Sequence, residues 1–259
     1  VVTLQNLHWY EGPLASFDTE TTGVDVETDR VVSAALVLQS APDAPVERLT
    51  WLVDPGVPIP DGARAVHGIT DERVRAHGCS PVLATAEIAR ALAEQARAGV
   101  PLVVMNAPYD LTLLDRELRR HRQSSLAGVL ADAELLVVDP RVLDKHVDRY
   151  RKGRRTLTDL CAHYGIALAD AHDAGADAWA ALQLVRALGE RHSTALGEFS
   201  TAELHLRQAR WHAAQARGLQ EWFDRSGTPE RVDRSWPLRP ARCLCGAPVS
   251  AEHRCESAA

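Results

Sequence analysis

Aromatic side chains are scarce in this 259-residue chain: Phe, Trp and Tyr together make up 5% of it. A core with so few rings must be filled by Ala, Leu and Val. The hydrophobic fraction of 46% supplies enough of them for one full-sized domain with an added segment. Long apolar runs are missing, as is any basic stretch leading into an apolar one, so a cytoplasmic chain without membrane contact is expected. Excess positive charge is missing too. A formal net charge of −6 excludes nucleic-acid attraction as a property of the whole surface and leaves it to local basic patches. The five cysteines form no disulfide framework: Cys79 and Cys161 stand alone, and Cys243, Cys245 and Cys255 gather near the end. A reducing compartment suits that distribution.

Among what is present, three apolar stretches come close together: "LASFDTET" at 14–21, "RVVSAALVLQ" at 30–39 and "ERLTWLVDPG" at 47–56. Their short connections predict an antiparallel meander. "SPVLATAEIARALAEQARAG" at 80–99 predicts a helix, with Ser80 as its cap, Pro81 in its first turn and Gly99 at its stop. "VPLVVMNA" at 100–107 reads as a buried strand, followed by a helix in which Leu111, Leu114 and Leu118 share a face. "LLVVDP" at 135–140 reads as a further short strand before a mostly helical remainder. Strands first, then alternating helix and strand, predict an α/β fold with a mixed sheet. Leu204, Trp211, Leu219, Trp222 and Phe223 mark a last helix over 200–224, before a tail rich in Pro and charge. A boundary near 195 divides a domain at 1–195 from a helix and tail at 196–259.

Three short motifs carry the chemistry. In "SFDTETTG", at 16–23, strand alternation sends Asp18 and Glu20 to one face just before a turn at Thr21, Thr22 and Gly23. Alone, such a pair reads equally well as a solvated strand end. In "NAPYD", Pro108 suits a first helical turn, and Asp110 there also has the plain role of facing a helix N-terminus. In "AHDAGADAWAALQLV", His172 and Asp177 are five residues apart, which on one helix would separate them by roughly 140°. They converge only if His172 precedes the helix, with Asp170 or Asp173 as the cap and Asp177 facing the sheet. Together the motifs offer four carboxylates and an imidazole. Hard oxygen ligands of this kind suit Mg²⁺ or Mn²⁺, and two such ions about 4 Å apart can clamp a phosphodiester.

In order and spacing, from about residue 14 to 190, "FDTETTG", "NAPYD" and "HDAGAD" resemble the motifs of the DEDDh branch of the DnaQ-like 3′–5′ exonucleases. That family includes the proofreading subunit of bacterial replicative polymerases. The resemblance implies a ribonuclease H-like fold, a central five-stranded mixed sheet flanked by helices. It implies metal binding by Asp18, Glu20, Asp110 and Asp177, with His172 as general base. "VHGIT" at 66–70 is similar to a family segment near the terminal nucleotide, which brings in His67. The expected activity is removal of 5′-mononucleotides from the 3′ ends of single-stranded or frayed DNA. Short RNA is the neighbouring substrate, and a non-catalytic nucleic-acid-binding or scaffolding module is the alternative from another class.

Substrate contacts are expected from Thr21, Thr22, Gly23, His67, Asn106 and Tyr109. A basic cluster, "DRYRKGRRT" at 148–156, adds Arg149, Arg151, Lys152, Arg154 and Arg155. Its phosphate-binding reading stands level with that of a solvated turn. Cys243, Cys245, His253 and Cys255 have the spacing C-x-C then H-x-C, which departs from the wider C-x₂₋₄-C step of structural zinc sites. They read as a reduced tail in preference to a zinc site. No polymerase, helicase or ligase domain is visible, and no polymerase-binding segment can be recognised.

Overall fold

The structure, a computed structural model, describes residues 7–168 and 171–241. Three antiparallel strands open it: β1 (Leu14–Thr21), β2 (Val31–Gln39) and β3 (Val46–Leu52). Two short helices, α1 (Asp61–His67) and α2 (Asp71–His77), lead to α3 (Pro81–Arg97). Then follow β4 (Leu102–Val103), α4 (Asp110–Arg122), α5 (Leu126–Leu130), β5 (Val137–Val138) and α6 (Pro140–Val147). The chain closes with α7 (Leu157–Tyr164), α8 (Ala174–Arg191), α9 (Ser193–Leu196) and α10 (Thr201–Ser226). The sheet order is β3-β2-β1-β4-β5, with β4 and β5 parallel to β1, so this is a five-stranded mixed sheet flanked by helices.

Placing β1 at the centre decides where the chemistry goes. Alternation along β1 turns Ala15 and Phe17 toward α3 and α4, where they pack with Ile88, Leu92, Leu111 and Leu114. Leu14 goes to the other face with Ala35 and Val37, against Ala178, Ala181, Leu182 and Val185 of α8. Asp18 and Glu20 continue the α8 side to the strand's C-terminal end. Small residues bring α8 in close: a side-chain carbon on Gly175, in its first turn, would lie 4.0 Å from both Ala35 and Thr50. Alanines here do what rings do in cores richer in aromatics.

Helix starts are written locally. Ser80 accepts from the Leu83 N–H with Pro81 at the first position of α3, and Asp173 caps α8 by accepting from the Ala176 N–H at 3.0 Å. Two differences from the sequence reading stand out. Only Leu102–Val103 pair as strand within 100–107, because the chain leaves the sheet into a turn where Asn106 has φ of 63°. Sequence reading assigned no helix to 61–77; α1 and α2 are each only 7 residues long, too short for a periodicity to show.

The segment after residue 196 shares the core. Leu204 of α10 is buried in the α8-side cluster, and Gln208 donates to the Val137 carbonyl while accepting from the Asp139 N–H at 2.7 Å. The chain then returns across α4, with Trp236 buried in the opposite cluster and the Arg239 N–H donating to Thr112 Oγ1 at 3.0 Å.

Asp139 is where these parts meet. Its carboxylate, 1% exposed, accepts from the N–H groups of Asn106 (3.2 Å), Ala107 (3.1 Å) and Arg141 (3.0 Å) and from Trp236 Nε1 (3.3 Å). It therefore ties the turn before α4 to the start of α6 and to the returning segment. Replacing Asp139 with Ala strands those donors in the interior, and an urea titration should show a loss of about 3 kcal/mol. A loss below about 1 kcal/mol would mean the turn holds itself.

Candidate active site

Acids from both faces of the sheet converge at the C-terminal end of β1. Asp18 and Glu20 come from the strand. Asp177 comes from the first turn of α8, and Asp110 is the first residue of α4, on the other side. Glu20 is 8% exposed, Asp110 3% and Asp177 9%. Ligand atoms of Glu20, His172 and Asp177 all lie within 4.8 Å of one another. Asp110 is held by Thr19, whose hydroxyl donates to its Oδ1 at 2.6 Å. Thr19 faces away from Asp18 and Glu20 along the strand, which is why it meets an acid arriving from α4.

His172 does precede the helix. It adopts φ of 72°, and its backbone N–H donates to Asp177 Oδ2 at 3.2 Å. That reversal solves the problem of the five-residue offset, because the imidazole need not share the helical phase of Asp177. Asp173 is the cap of α8; Asp170 lies outside the described residues.

Electrostatically the site is overloaded with negative charge. Burial pushes the Asp18 carboxyl well up, and Asp110, Asp177, Glu20 and Asp173 add to the shift. Burial, then Asp177, Asp110 and Asp173, raise Glu20 to about 8. Asp110 is also raised by burial, against the Thr19 hydrogen bond that lowers it, and Asp177 is raised by burial against the His172 N–H. Asp177 Oδ1 is buried and has no hydrogen-bond partner among the described residues. An unpartnered carboxylate oxygen among crowded acids, with His172 beside Asp177 as the one side chain whose charge acts against these shifts, fits a missing countercharge. The donors are hard carboxylate oxygens, with the His172 imidazole beside them, which suits a divalent ion of the Mg²⁺ or Mn²⁺ kind.

A cavity of about 190 Å³ opens beside Glu20 and is lined by Trp51, His67, Arg73, His172 and Asp173. His67 ends α1, with its Nδ1 accepting from the Ile69 N–H at 3.1 Å. Its imidazole is lowered by burial, and His172 lowers it further while the Thr21 backbone acts against both. Sequence reading missed Trp51 and Arg73, which carry no motif and reach the cavity only through the fold.

The turn after β1 is closed by its own hydrogen bonds. The Thr22 N–H donates to the Arg30 carbonyl at 2.9 Å, and the Thr22 hydroxyl donates to Asp29 at 2.7 Å. The Thr21 hydroxyl lies 2.6 Å from the Gly23 carbonyl and 2.7 Å from the Tyr109 hydroxyl, which also reaches that carbonyl, so two hydroxyl hydrogens are shared among three contacts. Gly23 has to be small, since a side-chain carbon there would lie 2.6 Å from Asp29. Thr22 and Gly23 therefore hold the turn. Asn106 Oδ1 accepts from Arg141 at 2.9 Å.

The basic cluster divides in two. Arg151 (2.9 Å) and Arg155 (2.6 Å) both bind the fully buried carboxylate of Asp144. Arg149, Lys152 and Arg154 are exposed. Cys243, Cys245, His253 and Cys255 lie outside the described residues. No helix among the described residues is long and apolar enough to cross a membrane.

The RNase_T family model, an exonuclease model, matches residues 16–185 and so spans all three motifs. A DNA polymerase III PolC-type protein of Lacticaseibacillus paracasei is 27% identical over 189 residues, 73% of this chain and 12% of that one. A DNA polymerase III subunit epsilon-like protein of Rhodobacter capsulatus is 40% identical over 103 residues, 39% of this chain and 14% of that one. The chain thus spans only a small part of either relative. Exonuclease I of E. coli, solved with a dT13 oligonucleotide, has a similar fold, with a TM-score of 0.59 and 19% identity over 71% of this chain and 42% of that one.

The raised carboxyls give a signed prediction for the ion-free protein. Glu20 ordinarily titrates at 4.5 and is raised to about 8 in the fold, so the fold favours its protonated form. Its contribution to stability is complete below 4.5 and is lost as pH rises through about 8. In EDTA, the melting temperature of the wild type should fall over that interval more steeply than that of Glu20→Gln. Mn²⁺ should restore it most at the alkaline end, because an ion that binds only the folded site stabilises it. Parallel pH profiles of the two proteins would remove Glu20 from the charge cluster.

Proposed function

The chain belongs to this exonuclease family, its DEDDh, DnaQ-like branch, and on that premise we propose that it removes nucleotides from the 3′ end of single-stranded or frayed DNA. The convergence of Asp18, Glu20, Asp110 and Asp177 beside His172 carries this reading. In it the four acids hold two divalent ions, Mg²⁺ or Mn²⁺. When bound, such ions offset the charge of a phosphodiester and of the oxygen leaving it.

The chain's own residues supply the rest. His172, within 4.8 Å of Glu20 and Asp177, is placed to take a proton from a water molecule on an imidazole nitrogen. The water oxygen bonds to phosphorus, the bond from phosphorus to the 3′ oxygen breaks, and the freed 3′ oxygen takes a proton from solvent. The product is a 5′-mononucleotide. Thr19 keeps Asp110 in place, and the Asp177 hydrogen bond keeps the His172 backbone turned out of the helix. Arg149, Lys152 and Arg154 are available for the phosphates behind the scissile bond; Arg151 and Arg155 are committed to Asp144. DNA as substrate is supported by the oligonucleotide bound in the E. coli Exonuclease I structure and by the DNA polymerase III names of the relatives. Retention of all four acids and the histidine favours a working enzyme over a binding module.

Incubation with a 5′-labelled single strand and Mg²⁺ should give a ladder shortened from the 3′ end, abolished by EDTA. A circular single strand should stay intact. Asp18→Asn should lower kcat by about three orders of magnitude or more with the fold retained. His172→Gln should lose kcat while keeping its Mn²⁺ affinity. Cutting of the circle would overturn the exonuclease reading, and faster turnover of a matched RNA would move the substrate from DNA to RNA.

A further inference from the structure

A groove runs along the seam between α6 and α10, and the catalytic residues do not use it. Its inner lobe, about 330 Å³, starts at Asn106 and Pro108, just before Asp110, and continues past Arg141, Lys145, Gln215 and Leu219. The outer lobe, about 450 Å³, shares Lys145, Gln215 and Leu219 and extends to Arg149, Tyr150 and Trp222. Rings are scarce in this protein, yet here Tyr150 is 86% and Trp222 54% exposed. Trp211 at the groove's floor is covered by His146, stacked at 3.7 Å and 12°. Among the described residues Tyr150 and Trp222 have no such cover, although Trp222 has Phe223 beside it at 5.4 Å and the Arg149 guanidinium lies 5.5 Å from the Tyr150 ring centre.

Charge follows the same line. Among the described residues no acid lines the outer lobe, and Asp139, Glu230 and Asp233 line only the inner one, together with Arg231 and Arg239. The Lys145 ammonium is held below its usual range by burial first and then by Arg155, Arg141 and Arg149; Arg155 is tied to Asp144, and Arg141, Lys145 and Arg149 line the seam itself in a chain of net charge −6.

We propose that this seam is a single-stranded DNA track, holding the substrate strand on the 5′ side of the terminal nucleotide. Open rings interspersed with cations match the alternation of bases and phosphates along a single strand. A strand leaving the acids past Asn106 and Pro108 enters the inner lobe directly. One wall of the seam is α10, outside residues 16–185 that match the family model, while Tyr150, Arg141, Lys145 and Arg149 lie within them, so the track is formed where this chain's C-terminal segment meets the family domain. An apolar peptide partner would not call for Arg141, Lys145 and Arg149.

The proposal rests on the exonuclease reading, and the two can fail separately. Binding is measured by fluorescence anisotropy in EDTA with labelled thymidine oligonucleotides of increasing length. Chemistry is measured with Mn²⁺ on the p-nitrophenyl ester of thymidine 5′-monophosphate, which is too small to reach the groove. Affinity of the wild type should climb with length until the track is filled. Tyr150→Ala and Trp222→Ala should each weaken binding of long oligonucleotides about tenfold and leave ester hydrolysis unchanged. Lys145→Ser and Arg149→Ser should each reduce the slope of log affinity against log salt by about 0.7. Both rings are exposed, so melting curves should stay at wild type. Ring variants that bind long oligonucleotides as the wild type does, in an enzyme that hydrolyses the ester, overturn the track alone. An inert ester with binding still lost in the variants supports the track and counts against the exonuclease reading.

Discussion

Negative charge held close to negative charge, with too little water to screen it, is the constraint on which this structure depends. Asp18, Glu20, Asp110 and Asp177 are drawn to one strand end, and burial together with mutual repulsion pushes their carboxyls upward. A fold tolerates such a cluster only if the surrounding packing overdetermines it. Here the packing comes from both faces of the sheet: leucines of α4 and alanines of α8 pin the acids through helices that cannot retreat without opening a core. What destabilises the ion-free protein is therefore what would favour a divalent cation at the site.

The same logic explains the shell of polar contacts around the acids. Thr19 and the His172 N–H each meet one carboxylate, so the orientation of Asp110 and Asp177 does not depend on an ion being bound. Asp139 extends this support outward. By gathering the N–H groups of the turn at Asn106 and Ala107, it sets where α4 begins and hence where Asp110 sits. Trp236 and Gln208 lean on the same residue, so the C-terminal segment is mechanically continuous with the second motif. Asp144 does for the basic loop what Asp139 does for the turn, anchoring Arg151 and Arg155 and leaving their neighbours exposed.

Much of this was legible in the sequence where the information is local. Alternation in "FDTETTG" put Asp18 and Glu20 on one face, and the five-residue offset required His172 to leave the helix before Asp177. Ser80 and Pro81 announced the start of α3. What escaped was non-local. Nothing in the spacing says that Thr19 meets Asp110, that Trp51 reaches the cavity, or that Asp144 consumes two arginines of a run that looked free. Thr22 looked available because its hydrogen bonds close onto Asp29 and Arg30, across a turn whose geometry the string does not show. The weight of α10 was hidden likewise, since Leu204 and Gln208 find their partners in β5 and α8 only once the sheet exists.

Calorimetric titration of Mn²⁺ into the ion-stripped protein, repeated in buffers of different ionisation enthalpy, addresses the central claim most directly. Carboxyls raised by crowding must give up protons when cations replace them as the neutralising charge. The account predicts saturation at two ions per chain with net proton release near neutral pH, and loss of both features in Asp18→Asn. Binding without proton release, or binding that survives in Asp18→Asn unchanged, would contradict it.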